Sequence, residues 1–360
     1  MRQCRFARDG RIYRRESMQK TRIGVIGAGF IGRRHLDKLL GFDDVRVVAV
    51  ADSLIDRARE AAAACGATAY ADYHRMLDDN ELDALYICVP PFAHGAPEMA
   101  ALERGLPFFV EKPLAIDLET AERVARGVRE KELMTAVGYH WRYLDTTERV
   151  RELLKEHPAR LALGYWLDTT PPPEWWMQEA RSGGQMVEQT THILDLARLL
   201  VGEVTRMYAA GAKTERPAFP HADVSDISVA ALHFASGALG TISSTCLLSG
   251  PHRIGLHLFS EGMAIELSEF ELMVDMGRGR PIQKAQADPF AREDRDFVDA
   301  VRGKADRIRV PYAEAIKTHR LATAAARSAH EGRVLELWPD GADSAGRYAT
   351  FRKPPDAPAS

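Results

Sequence analysis

Cysteine is scarce in this chain and falls in no pattern. The four cysteines among 360 residues (Cys4, Cys65, Cys88 and Cys246) are far apart and show no C-x-x-C spacing. That argues against a zinc ribbon or a disulfide framework and points to a reducing cytoplasm. A dominant charge sign is also missing: 48 Lys and Arg stand against 51 Asp and Glu, a net −3. Nothing here suits a nucleic-acid partner, which calls for a basic face. No apolar run approaches the roughly eighteen residues of a membrane span. The arginine-rich start lacks the apolar h-region of a secretory signal. Residues 1–21 are therefore expected to be a disordered extension, with Met18 as an alternative start.

What the chain has is apolar content, 46% hydrophobic over a length sufficient for two cores. Residues 22–26 form a short β-rich run leading into Gly27-Ala28-Gly29-Phe30-Ile31-Gly32, and residues 33–40 read as a helix. This is G-x-G-x-x-G in the strand–turn–helix setting that binds dinucleotides. Gly27 permits the turn, Gly29 admits the pyrophosphate, and Gly32 lets helix and strand approach, while the free N–H groups at the helix start, Phe30 and Ile31 among them, face the phosphates. A second buried run, residues 45–51, ends in Asp52, twenty positions after Gly32. A carboxylate there accepts from ribose hydroxyls and repels a 2′-phosphate, which favours NAD. Arg33 and Arg34 keep NADP open as the alternative. Further strands at 85–89, 108–110 and 134–138 bring the count to five in a doubly wound parallel sheet spanning residues 22–144. The strand at 85–89 stops at Pro90-Pro91-Phe92-Ala93-His94, where Pro90 and His94 are expected at the ligand-facing edge.

Glu111-Lys112-Pro113 follows the strand at 108–110 and delivers an ammonium to the carboxyl edge of the sheet, where ligands bind in open α/β folds. Residues 139–180 then hold four of the five tryptophans. Trp141 and Trp176, with Arg142 and Asp168, are candidates to stack on and read a sugar, against the competing reading that each tryptophan is core. Residues 185–201 read as one helix, which puts Glu188, His192 and Asp195 on one face. A carboxylate one turn before a histidine orients the ring and favours its protonated form, as an acid or base near neutral pH requires. A solvated stripe and a metal site compete, but no third metal ligand is evident and no metal is expected.

Together these pieces resemble the Gfo/Idh/MocA family of glucose–fructose oxidoreductase and inositol dehydrogenase relatives, along residues 22–335. The match rests on the glycine fingerprint, Glu111-Lys112-Pro113, Gly138-Tyr139-His140-Trp141-Arg142-Tyr143, and Gly183-Gly184 running to His192-Ile193-Leu194-Asp195. The resemblance implies a Rossmann domain followed by an α/β domain (145–337) with a large, mainly antiparallel open sheet, and a reaction on a sugar, polyol or related hydroxy compound. Where the family shows a third glycine and then Asp-x-Gly-x-His, this chain has Gln185, Glu188 and Thr190.

The implied chemistry makes His192 the base, Lys112 the stabiliser of the developing alkoxide, and Glu188 the residue that orients His192. Glu111 is expected to hold the nicotinamide ribose or the lysine, and the Lys112–Pro113 bond to be cis. Competing readings are a non-sugar substrate, such as a dihydrodiol or tetrapyrrole, and a non-catalytic NAD-sensing regulator. Antiparallel strands at 227–235, 238–247, 253–260, 264–268 and 272–276, and helices at 289–301 and 312–331, complete the second domain. Its open apolar face implies a homodimer or homotetramer. Residues 338–360 read as a loose tail.

Overall fold

The computed structural model describes residues 20–337, so the expected tail and all but the last two residues of the expected extension lie outside the described residues. Two sheets organise the chain. The first contains β1 (Thr21–Ile26), β2 (Val45–Ala51), β3 (Thr68–Tyr70), β4 (Ala84–Ile87), β5 (Phe108–Val110) and β6 (Thr135–Val137). Every pairing in it is parallel and the order is β3-β2-β1-β4-β5-β6, the doubly wound arrangement of dinucleotide-binding folds. The sequence suggested five strands. The sixth, β3, is three residues long, partly exposed and at the sheet edge, so it carries almost no apolar signature.

The other strands are rich in Val, Ile and Phe because both faces of this sheet are covered. Helices α1 (Phe30–Leu40) and α2 (Ile55–Cys65) pack on one face. Helices α3 (Tyr73–Asp79), α4 (Ala96–Glu103) and α5 (Leu118–Glu130) pack on the other. Two helices from the far end of the chain complete these layers. Helix α10 (Pro289–Val301) contributes Phe297 and Val298 beside α1, and α11 (Tyr312–Glu331) contributes Tyr312, Ala315 and Ile316 beside α5.

Between them lie α6 (Asp145–Glu156), α7 (Glu179–Ser182), α8 (Gly184–Glu188) and α9 (Thr191–Val201). The second sheet comprises β7 (Leu161–Thr169), β8 (Val204–Ala212), β9 (Ile227–Phe234), β10 (Leu239–Leu248), β11 (Arg253–Ser260), β12 (Met263–Leu267), β13 (Glu271–Asp275), β14 (Ile282–Lys284) and β15 (Leu335–Glu336). Its order is β14-β13-β12-β11-β7-β10-β9-β8-β15, antiparallel except for the parallel β7–β10 pair. Alternation along β8, β9 and β10 buries one face against α9 and α11 and leaves Tyr208, Val229 and Leu239 exposed on the other.

Central strand β7 falls inside the tryptophan-rich stretch and was not evident from the sequence. Its Gly164 has a structural reason: a Cβ there would meet Ile193 Cγ2 at 2.6 Å, so the missing side chain lets α9 lie close on the strand. That approach sets the position of His192, one residue before Ile193.

Candidate active site

The glycine loop between β1 and α1 is shaped for a phosphate ligand. Gly27 has φ +95° and its Cβ would collide with the Cys88 carbonyl oxygen at 2.4 Å, so only glycine fits that turn. A Cβ on Gly32 would lie 2.0 Å from the Gly27 carbonyl oxygen. An added Cβ on Gly29, by contrast, meets nothing within 4 Å, which leaves room beside the helix N-terminus for a pyrophosphate. Phe30 is exposed and Ile31 half-buried at that terminus. Asp52 accepts from Ala28 N at 2.8 Å and from Leu54 N at 2.9 Å, tying the loop to the end of β2. The residues present therefore fit a dinucleotide. Arg33 is held by Glu60 through two bonds of 2.6 and 2.7 Å, and Arg34 lies over the Phe290 ring, so both have partners within the protein.

Strand β5 ends at Val110, and the cis peptide between Lys112 and Pro113 follows. Lys112 Nζ donates to the Glu188 carbonyl oxygen at 2.9 Å and to Glu188 Oε1 at 3.1 Å. Glu188 Oε2 in turn accepts from Trp176 Nε1 at 2.8 Å. The result is a partly buried chain from tryptophan to carboxylate to ammonium at the carboxyl edge of the first sheet.

His192 stands near this ammonium, stacked on Trp166 at 5.8 Å and edge-on to Tyr139 and His140. It is buried, and its Nδ1 has no hydrogen-bond partner among the described residues. Burial first, then the positive fields of Lys112 and His140, push its pKa well below the ordinary histidine value. The ring is neutral at neutral pH, the state in which it can accept a proton.

Residues 21–139 match the model of the oxidoreductase family with an NAD-binding Rossmann fold, GFO_IDH_MocA, and residues 159–266 match its C-terminal domain. The chain is 31% identical to the myo-inositol 2-dehydrogenase of Thermotoga maritima over 232 residues, covering 62% of this chain and 68% of that one. It belongs to the GFO/IDH/MocA oxidoreductases. The inositol 2-dehydrogenase of Rhizobium meliloti is 28% identical over 88% of this chain and 99% of its own length. A crystal structure of a putative myo-inositol dehydrogenase from Sinorhizobium meliloti superposes with a TM-score of 0.75 at 25% identity, covering 89% of this chain and all of that one. Levoglucosan dehydrogenase in complex with NADH shares the fold at a TM-score of 0.78 and 22% identity, over 89% and 99% of the two chains.

Within this GFO/IDH/MocA framework several side chains sit elsewhere than the sequence suggested. Glu188, His192 and Asp195 do not share one helical face, because the helix breaks at Gln189 and Thr190, with Glu188 ending α8 and His192 opening α9. Glu188 therefore bonds Lys112 and Trp176 rather than orienting His192, and the histidine is driven toward its neutral form. Asp195 turns away from the site to take both Nε and Nη2 of Arg142, at 2.6 and 2.7 Å, and a bond from Thr318. Arg142 is thereby engaged in a buried ion pair and Trp141 is part of the hydrophobic core. Trp176 is almost fully buried and positions Glu188 through its ring nitrogen. Asp168 is half-buried on β7, with Oδ1 bonded to the next backbone N–H.

On the cofactor side, Pro90 caps the short turn at Pro91–Ala93, while His94 is drawn inward, its Nδ1 2.5 Å from Glu98 Oε1. Glu111 is buried and bonded to His35 Nε2 at 2.9 Å and to its neighbour's backbone N–H, not to the lysine ammonium. His35 also bonds Asp294 at 2.8 Å. Burial lowers the His35 pKa, but Asp294 and Glu111 outweigh it and hold the ring protonated. Glu293, with a carboxylate oxygen within 4.8 Å of the His35 and Glu111 side-chain atoms, is pushed well up by burial, toward its neutral form. This is a buried hydrogen-bonded network beneath the site. Sequence reasoning gave no role to Trp166 or His140, the two rings against His192. The tryptophan cluster of residues 139–180 includes the first and the Gly138–Tyr143 motif the second, but neither says which ring faces His192.

Proposed function

We propose that this chain transfers hydride between a hydroxyl-bearing carbon of a sugar, polyol or related compound and NAD(H). The observation that carries this reading is the neutral His192 imidazole, its Nδ1 without a partner among the described residues, next to the Lys112–Glu188 pair at the carboxyl edge of the dinucleotide sheet. The names of the relatives, inositol and levoglucosan dehydrogenases, support the substrate class.

NAD, when bound through Gly27, Gly29, Gly32 and Asp52, supplies the hydride acceptor. In the oxidative direction His192 removes the hydroxyl proton as the C–H hydride departs, leaving a carbonyl. Lys112 donates to the reacting oxygen and stabilises its developing negative charge. Glu188, fixed by Trp176, holds Lys112 and compensates its charge until substrate arrives. The exposed face of the second sheet is proposed to meet a second copy of this chain, as a homodimer or homotetramer. The described cysteines are all free, which supports a cytoplasmic location. No helix among the described residues is long and apolar enough to cross a membrane.

The test mixes protein and NAD⁺ with a panel of inositols, sugars and sugar acids and follows NADH absorbance. Turnover of at least one, lost by about a thousandfold or more in Lys112→Ala with NAD affinity unchanged, is the expected result. NAD binding with no turnover on any substrate would point to the sensing regulator instead.

A further inference from the structure

A base that is buried and strongly disfavours its charged form cannot keep the proton it takes. After each oxidative turnover His192 would be an imidazolium beside the Lys112 ammonium, and among the described residues no carboxylate is paired with its ring: Glu188 is committed to Lys112 and Trp176, and Asp195 to Arg142. The proton must leave by another group.

His140 offers that route. It lies in the 3₁₀ turn after β6, its ring 4.9 Å from the His192 ring and nearly perpendicular to it at 70°. On its other side the ring stacks on Phe290 at 4.2 Å, and its Nε2 lies 3.4 Å from Glu269 Oε1. Glu269 sits in the turn between β12 and β13 with 29% of its side chain exposed, so this carboxylate reaches solvent. Glu111 and Lys112 at the end of β5 act on His140 with opposite signs, and Arg34 of α1 acts on Glu269. Burial lowers the His140 pKa while Glu269 opposes it, and Glu269 itself is held below the ordinary carboxylate range despite its burial, by its nearness to His140 and by the charge of Arg34.

We infer that His140 and Glu269 form a proton relay that carries the substrate's hydroxyl proton from His192 to bulk solvent. The inference rests on the dehydrogenase reading. The oxidation releases one hydride to NAD⁺ and one proton to His192. That proton passes to His140, by direct approach of the rings or through one water, then to the Glu269 carboxylate and to buffer. Each relay group ends the cycle in its starting protonation state. In the reductive direction the same path runs inward and recharges His192. Neither residue touches the reacting atoms, so both act through His192.

The experiment compares wild type with Glu269→Gln, which keeps the size and hydrogen-bonding capacity of the side chain, on a substrate found in the panel. At low buffer concentration the variant is expected to lose roughly tenfold or more in kcat, with KM and NAD affinity unchanged and a raised solvent deuterium isotope effect. Adding millimolar imidazole or formate, small enough to reach the turn, should restore kcat. His140→Gln is expected to show the same buffer-dependent defect, and circular dichroism and NAD titration confirm that each variant is folded. Full activity of both variants at low buffer overturns the relay, as does a loss that no buffer rescues. If wild type oxidises nothing in the panel, the dehydrogenase reading falls and takes the relay with it. An active wild type with unrescued variants removes the relay alone.

Discussion

Trp176 shows how a large aromatic can serve catalysis without touching substrate. Its indole nitrogen holds one oxygen of Glu188 while the other meets Lys112, so the ring fixes the direction of an ammonium two contacts away. Trp176→Phe keeps most of the packing and removes one charge-assisted bond, a loss of about 1.5–3 kcal/mol that corresponds to roughly 10- to 100-fold in rate. The decrease should appear in kcat, with NAD affinity unchanged by fluorescence titration; an unaltered kcat would show that Glu188 needs no such support. The tryptophan's role was hidden in the sequence because Trp176 and Glu188 belong to different short helical segments. Lys112 was legible for the opposite reason: three buried apolar residues followed at once by Glu-Lys-Pro place a charge at a strand end whatever the rest of the chain does. Glu188 and His192 were found as residues but misread as a pair. Neither glycine nor proline marks the break between them, and Gln189 and Thr190 suit a helix interior well enough to conceal it.

At the scale of elements, the first sheet followed from its Val- and Ile-rich runs and from the fingerprint, since strands buried on both faces announce themselves. Strand β7 did not, because Gly164 and its aromatic residues blur the alternation that marks a half-buried strand. The two close approaches of the nucleotide loop give a paired prediction. Gly29→Ala places a methyl where nothing stands, so the protein should keep its melting temperature and lose NAD affinity by about tenfold or more. Gly32→Ala forces α1 away from the Gly27 carbonyl, so it should weaken NAD binding and also cost about 1–3 kcal/mol of stability. Thermal melts with and without NAD separate the two; equal melting temperatures for both variants would contradict the assigned roles.

For the whole molecule, stability and assembly are the measurable properties. His319 of α11 donates from Nε2 to the Asp117 carbonyl at 3.0 Å, and its Nδ1 is buried without a partner among the described residues. Burial pushes its pKa down to about 4. A folded pKa below the unfolded value means the unfolded chain binds the proton first, so this contribution is complete above the unfolded pKa of about 6.5 and is lost as pH falls toward 4. The effect amounts to about 3 kcal/mol, and His319→Gln should flatten the fall in urea-unfolding free energy across that interval. Identical slopes for the two proteins would refute it. Light scattering should find at least a dimer, with the exposed Tyr208, Val229 and Leu239 covered; a monomer at micromolar concentration would leave that apolar face unexplained.

The return of α10 and α11 onto the first sheet has a bearing on biogenesis. On the ribosome, the fingerprint emerges more than 250 residues, and Lys112 more than 170, before the helices that seal both faces of their own sheet. The nascent nucleotide-binding half must wait with uncovered hydrophobic surface until synthesis reaches the end of α11, a window in which chaperones would be expected to bind it.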